Sequence, residues 1–131
     1  MLAVGRLQPP YADDVQHYQK LLARHTRLEL IEVREEQSVD GRIPADTYVV
    51  LLASEGQQFD SMEFSRFIDE RRLEARDVCF VIGGTRGIDL EECDLKLSLG
   101  PMTLPHQLAR VVLLEQLFRA HKILAGEPYH Y

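Results

Sequence analysis

The chain has 131 residues, of which 45% are hydrophobic and 27% charged, so we expect one globular domain over 1–131 and exclude a disordered chain. Its net charge of −6 is atypical of a nonspecific nucleic-acid binder. No apolar run reaches the ~20 residues that span a bilayer, and the N-terminus does not resemble a signal peptide. We therefore expect a cytoplasmic protein that makes no membrane contact.

Strand-like and helix-like apolar patterns alternate along the chain. Two of the strand-like runs are apolar at every position, as in strands buried on both faces of a parallel sheet. The pattern therefore predicts an α/β fold with a parallel sheet covered on both faces. Strands are predicted at 2–4, 28–33, 48–53, 78–82 and 95–99, helices at 11–24, 61–73 and 105–126, a turn at 54–56, and one helical turn at 89–93.

Three segments follow the carboxyl ends of predicted strands, where parallel sheets bind ligands: 53–56, 83–87 and 99–104. Glycines in the second segment let a backbone approach a ligand closely, but they have neither Walker A nor GxGxxG spacing. That segment is equally compatible with a plain turn, and the third with a helix cap at Thr103. We expect a cofactor site to be built from the three segments.

The last helix is apolar on nearly every side, whereas a surface helix of a monomer needs one apolar stripe. We expect two packing partners, its own sheet and a second subunit. Its polar residues include Glu115 and Arg119, whose i,i+4 spacing is typical of a solvated ion pair. His106, His121 and His130 lack the spacing of a metal-binding pair, so we expect no metal site.

The C-terminal quarter differs in charge from the rest of the chain. Residues 96–131 contain four Lys or Arg and two Glu, a net charge of +2, which leaves −8 for residues 1–95. The chain ends in Tyr129, His130 and Tyr131, side chains of the kind that stack on unpaired bases. Hydrophobic docking of this tail onto the body is the alternative. An anionic partner is expected at this end of the chain.

Several runs together resemble one family. They are AVGRL at 3–7, LIEV at 30–33, IGG with Gly87 at 82–87, and the run from LSLGPMTLPHQLARV at 97–111 to GEPYH at 126–130. The last is similar to the signature LSxxxMTxPHQxxRVxLxEQxYRAxxIxxGEPYH. These are motifs of the small SPOUT methyltransferases, H type, which methylate N3 of a pseudouridine in large-subunit (23S) ribosomal RNA.

The resemblance implies a SPOUT α/β knot, with a parallel sheet flanked by helices and a C-terminal trefoil knot. It also implies S-adenosyl-L-methionine as methyl donor, a homodimer, and ribosomal RNA, in the assembled ribosome, as substrate. Arg110, Arg119, Tyr129 and His130 become the candidate catalytic residues, some reaching across the dimer, with the general base unassigned. The implied cofactor-binding residues are Leu52, Gly83, Leu99, Gly100, Pro101, Met102, Thr103 and Leu104.

The chain departs from the family pattern in four places. The segment after Val33 is shorter than the usual helical insert, and the first strand begins at Leu2. Ala53 and Gln57 replace an acidic residue and a lysine, and Tyr131 replaces a common basic residue. Two alternatives remain: a SPOUT methyltransferase with another RNA target, and a non-catalytic ribosome-associated docking protein.

Overall fold

A computed structural model describes residues 1–34, 39–83, 90 and 92–129. Five parallel strands form one sheet in the order β2-β1-β4-β3-β5, which confirms the predicted parallel α/β architecture. The strands are β1 (Leu2–Val4), β2 (Ile31–Val33), β3 (Tyr48–Gln58), β4 (Val78–Ile82) and β5 (Leu95–Ser98). The helices are α1 (Tyr11–Leu22), α2 (Ser61–Leu73) and α3 (His106–Leu124), with a 3-10 turn at Asp40–Arg42.

Alternating strand residues build one hydrophobic core on each face of the sheet. Ala3, Val50 and Phe80 point into a cluster that all three helices share. Their neighbours along the strands belong to a second cluster, which the loop residues Val39 and Leu90 complete. Both faces are covered, as predicted, but in the described part of the chain the helices occupy only one of them.

Strand β3 corrects the predicted turn at 54–56, because it continues to Gln58. Its pairing with β5 shifts register between Leu52 and Gln57, so that both residues lie opposite Leu97. Gly56 lies against the β5 backbone: a Cβ atom there would be 2.7 Å from the carbonyl carbon of Lys96. Pairing with a distant strand outweighs the local turn preference of Ser-Glu-Gly.

The helix starts differ from the predicted caps. Asp60, rather than Ser61, is the N-cap of α2: its carboxylate accepts from the Glu63 amide at 2.7 Å, and the Glu63 carboxylate accepts from the Asp60 amide at 2.9 Å. This reciprocal arrangement is a capping box, which satisfies two amides at once. Thr103 does not cap α3, which begins directly after Pro105 with no side-chain cap.

Other element ends differ from the predictions by a few residues, since β2 begins at Ile31 and α3 ends at Leu124. The helical turn predicted at 89–93 falls partly outside the described residues. None of the helices described here is long and apolar enough to cross a membrane.

Candidate functional site

The described starts of the three predicted cofactor segments lie at the same edge of the sheet. Leu51 pairs with Val81, and Leu52 with Leu97, so the carboxyl ends of β4 and β5 flank the middle of β3. Gly83 is buried directly after β4, and the segment 99–104 follows β5. Residues 84–87 of the glycine-rich segment lie outside the described part of the chain. The edge thus brings together Leu52, Gly83 and the start of 99–104.

The segment after β5 begins with a tight turn. The Ser98 hydroxyl donates to the Gly100 carbonyl at 2.9 Å and accepts from the Gly100 amide at 3.2 Å. Gly100 has φ +139°, a backbone conformation that residues with a side chain rarely adopt. Beyond it the chain is exposed from Pro101 to Thr103, and Met102 is 82% exposed. The turn projects this segment outward at the carboxyl edge of the sheet.

A cavity of about 350 Å³ opens between the end of β5, the start of α2 and the middle of α3. Its volume is in the range of small-molecule sites. Its apolar and polar lining suits a heterocycle with hydrogen-bonding edges. It includes Leu99 and Gly100 of the predicted cofactor residues, but neither Leu52 nor Gly83. The lining residues are Gln58, Phe59, Asp60, Ser61, Phe64, Leu97, Ser98, Leu99, Gly100, Val112, Leu113 and Gln116.

Arg110 is almost fully buried, at 2% exposure, beneath the carboxyl ends of β1 and β2. Its Nη2 donates to the carbonyls of Val4 and Gly5 at 3.0 and 2.9 Å. Its Nη1 donates to the Glu32 carboxylate at 3.2 Å. A guanidinium committed in this way to backbone and a carboxylate is suited to positioning the chain around it.

Arg119 lies on α3 beside the C-terminal tail. Its Nε and Nη2 donate to the same Glu115 carboxylate oxygen at 3.0 and 2.7 Å, and its Nη1 donates to the Tyr129 carbonyl at 2.9 Å. The hydrogen bonds that Arg119 donates to Glu115 raise the pKa of Arg119 above its ordinary value. Arg119 therefore remains a cation, able to stabilise an anion but not to accept a proton.

The described part of the tail docks onto its own chain. The Tyr129 ring packs edge-on against Phe118 at a centroid distance of 4.8 Å, and the Arg119 guanidinium lies 5.0 Å from its centre. Tyr18 of α1 is also beside it, with its pKa raised by burial and then by Tyr129. Within one chain, Tyr129 therefore docks onto the body of the protein, as the hydrophobic-docking alternative expects. His130 lies outside the described residues.

One chain does not bring all the candidate catalytic residues together. Arg110 and Arg119 are nine positions apart on α3, which places them on opposite sides and about 13 Å apart along the axis. Arg119 and Tyr129 lie near the C-terminal end of α3, whereas 99–104 precedes its N-terminal end. Arg119 and Tyr129 therefore form one group, and Arg110 is separate from it, at the carboxyl ends of β1 and β2.

The side of α3 that faces away from the core is divided in character. Its first half is apolar and half-buried, with Leu108 and Val112 on the helix and Leu104 just before it. Its second half is charged, with Glu115, Arg119 and Lys122. Within the described ranges, no group of three His, Cys, Asp or Glu side chains could hold a metal ion.

Sequence reasoning missed two residues at the sheet edge, Glu32 and Gln107. The Glu32 carboxylate accepts from the Leu7 amide at 2.7 Å as well as from Arg110. The Gln107 side chain accepts from the Gln8 amide at 2.7 Å and donates to the Arg6 carbonyl at 3.2 Å. No local pattern connects residues this far apart in sequence.

Comparison with known proteins gives a consistent result. A family model described as a predicted SPOUT methyltransferase matches residues 1–130. Proteins named ribosomal RNA large subunit methyltransferase H are similar to the chain: 39% identical in Gemmatimonas aurantiaca, 36% in Streptococcus gordonii and 37% in Carboxydothermus hydrogenoformans. Each match covers 99% of this chain and 97% of the relative. The alignments span 149–154 positions, so the relatives contain segments that this chain lacks.

Proposed function

The chain belongs to the SPOUT methyltransferase family, and from this membership we propose that it methylates N3 of a pseudouridine in large-subunit (23S) ribosomal RNA, with S-adenosylmethionine as donor. The observation that carries the proposal is the meeting of Leu52, Gly83 and the 99–104 segment at one sheet edge. The shared name of the near-full-length relatives supports the choice of ribosomal RNA as substrate.

The cofactor would be held mainly by backbone. Gly83 follows a buried strand with no side chain in the way, and the Gly100 turn directs the 99–104 segment to the same edge. The apolar side chains of Leu52, Leu99 and Leu104 would pack against the adenine ring. When bound, the sulfonium supplies the methyl group for an in-line displacement.

The protein must also prepare the nucleophile. The imide N3 of the base is protonated at neutral pH, so its proton must be removed or the resulting anion stabilised. Arg119, a permanent cation, is suited to stabilising that anion, while Tyr129 and His130 are the candidates for proton transfer. Arg110 contributes by positioning, because its Nη1 and Nη2 groups already hold the sheet edge.

A homodimer would complete the site. Within one chain, Leu99 and Gly100 share a cavity with Gln116 of α3, but neither Arg119 nor Tyr129 lines that cavity. Packing two α3 helices against each other in opposite directions would bury their apolar halves. It would also set the charged half of one beside the 99–104 segment of the other. We also propose that the chain forms the C-terminal trefoil knot of the SPOUT fold, because it belongs to that family.

Cofactor binding and methyl transfer are the first tests. We expect calorimetric titration to detect S-adenosylmethionine binding, and radiolabelled methyl groups to pass to assembled ribosomes more readily than to free ribosomal RNA. We expect this preference because a chain with net charge −6 is poorly suited to binding free RNA through charge alone. An assembled ribosome also offers a defined shape to recognise. Binding without transfer to either RNA would contradict the proposed substrate, and absence of binding would contradict the proposed enzyme.

A further inference from the structure

Arg6 belongs to the AVGRL run at 3–7 and lies just after β1. The proposed function assigns no role to Arg6. Its side chain is exposed, and among the described residues no carboxylate pairs with it. An arginine on a mobile backbone would lose that backbone freedom on binding, at a cost in affinity. The backbone around Arg6 is instead fixed on both sides.

Three hydrogen bonds to residues of β2 and α3 hold this segment. The Gly5 amide donates to the Val33 carbonyl at 2.8 Å, and the Leu7 amide donates to Glu32 at 2.7 Å. The Arg6 carbonyl itself accepts from Gln107 at 3.2 Å. Gly5 has φ +97°, so the turn that presents Arg6 also requires glycine. Helix α3 and strand β2 therefore fix the direction in which the chain leaves β1.

The held segment lies beside the proposed cofactor site. Ala3 pairs with Ile82, so Val4 is abreast of Gly83 at the carboxyl edge of the sheet. Gln107 and Arg110, which hold the segment, lie in the first two turns of α3, directly after the 99–104 segment. Arg6 is thus connected to the cofactor edge through short, rigid contacts.

The charges around Arg6 favour an anionic ligand. Among the described residues, the carboxylate bonded to this segment is Glu32, which is paired with Arg110 and accepts from the Leu7 amide. A planar guanidinium is well matched to phosphate oxygens. A chain with net charge −6 also needs local cations where it meets RNA.

We propose that Arg6 contacts a backbone phosphate of the RNA substrate, held at the cofactor edge by Glu32, Gln107 and Arg110. The inference rests on the proposed function, because it takes ribosomal RNA as the substrate. It assigns Arg6 to substrate binding rather than to the chemical step. A lost phosphate contact should therefore change the KM for ribosomes and leave kcat and the cofactor affinity unchanged.

Three variants test this role: Arg6→Ala, Arg6→Lys and the control Arg27→Ala. Arg27 is also exposed, but it precedes β2 and so lies at the opposite edge of the sheet. We expect Arg6→Ala to raise the KM for ribosomes about tenfold, as for loss of one charged hydrogen bond. The slope of log affinity against log salt should fall by about 0.7–0.9, as for loss of one phosphate contact. Arg6→Lys should restore part of both, and Arg27→Ala should match wild type.

Two results would overturn the inference while leaving the proposed function intact. One is an active wild type for which Arg6→Ala and Arg27→Ala have the same KM and salt slope. The other is an Arg6→Ala variant that loses affinity for S-adenosylmethionine instead, which would assign Arg6 to the methionine carboxylate. If the wild type binds ribosomes without methylating them, equal salt slopes for Arg6→Ala and Arg27→Ala would still overturn the inference. A wild type that does neither would overturn both proposals.

Discussion

Gly83 has no side chain, and we predict that this lets its backbone lie close to the cofactor. It is buried directly after β4, where the backbone is proposed to meet the cofactor. We expect Gly83→Val to abolish S-adenosylmethionine binding in calorimetry, while the protein stays folded. The control is Gly41→Val, at a position with open space around it, which should bind normally. Wild-type affinity in Gly83→Val would remove Gly83 from the site.

His121 gives the fold a predictable pH dependence. Burial is the main cause that lowers its pKa below 6.5, and His25 and Arg72 add to the effect. The His25 ring stacks on it at a centroid distance of 5.8 Å. Because the folded state holds the proton less tightly than the unfolded state, this contribution to stability is present above about pH 6.5 and is lost as the pH falls through the folded-state pKa.

We therefore expect the Tm of the wild type to fall between pH 7 and pH 5 by more than the Tm of His121→Gln. Thermal unfolding followed by circular dichroism at several pH values measures the difference. Parallel curves for the two proteins would show that His121 does not contribute to the acid sensitivity.

At the scale of elements, the contact between β3 and β5 depends on Gly56. A Cβ atom there would lie 2.7–2.8 Å from backbone atoms of Lys96 and Leu97, which cannot rotate away as a side chain could. We expect Gly56→Ala to lower the free energy of unfolding by about 1–3 kcal/mol, the usual range for overpacking. Chemical denaturation compares it with Gly41→Ala, which has open space. Equal stabilities would mean that the two strands separate more easily than their pairing indicates.

The C-terminal tail is an element with two separable roles. The docking of Tyr129 against Phe118 means that deleting 129–131 should lower the Tm. If the tail also forms the RNA half of the site, the deletion should reduce methyl transfer by about 10²–10⁴-fold and leave cofactor affinity unchanged. Calorimetry and a transfer assay on the same samples separate the two roles. A parallel loss of stability and cofactor binding would instead assign the tail to docking alone.

The variant His130→Ala refines the same prediction, because it removes little apolar area. Its stability and cofactor affinity should match wild type, while methyl transfer to ribosomes should fall strongly. Undiminished transfer would move the catalytic role to Arg119, Arg110 or the RNA itself. His17→Ala, at an exposed position on α1, is the matched control.

Elements whose signal is local could be predicted from the sequence. The apolar run at 78–82 forms β4 as expected, and the Asp60-x-x-Glu63 pattern of the capping box is also present in the sequence, although the prediction chose Ser61. The extension of β3 to Gln58 could not be predicted, because it depends on pairing with Leu97 and Ser98 of a distant strand. The meeting of Leu52, Gly83 and the start of 99–104 at one edge was predictable, because parallel strands place their carboxyl ends together.

At the scale of the whole molecule, the outward apolar half of α3 is suited to packing against a second subunit. Leu104, Leu108 and Val112 remain half-buried in the single chain. We expect a homodimer at micromolar concentration by sedimentation, and a shift towards monomer with loss of activity in Val112→Glu. A monomeric wild type that still transfers methyl groups would contradict both the dimer and the shared site.

Long-range organisation marks the limit of the sequence analysis. Strand and helix alternation predicted a parallel sheet, but not that the three described helices would share one face. Nor could spacing show that Arg110 holds Val4 and Gly5, more than a hundred positions away in the chain. The family motifs supplied the candidate site residues, and the structure shows that Arg110 and Arg119 lie on opposite sides of α3 in one chain.

Identification of the methylated nucleotide tests the proposed function most directly. Ribosomes lacking the modification would be incubated with the protein and S-adenosylmethionine, and the 23S RNA digested for mass spectrometry. We predict one new methyl group, at N3 of a pseudouridine, absent when the Gly83→Val variant is used. Methylation of another base or of a ribose, or no methylation of ribosomes by a protein that binds the cofactor, would contradict the proposal.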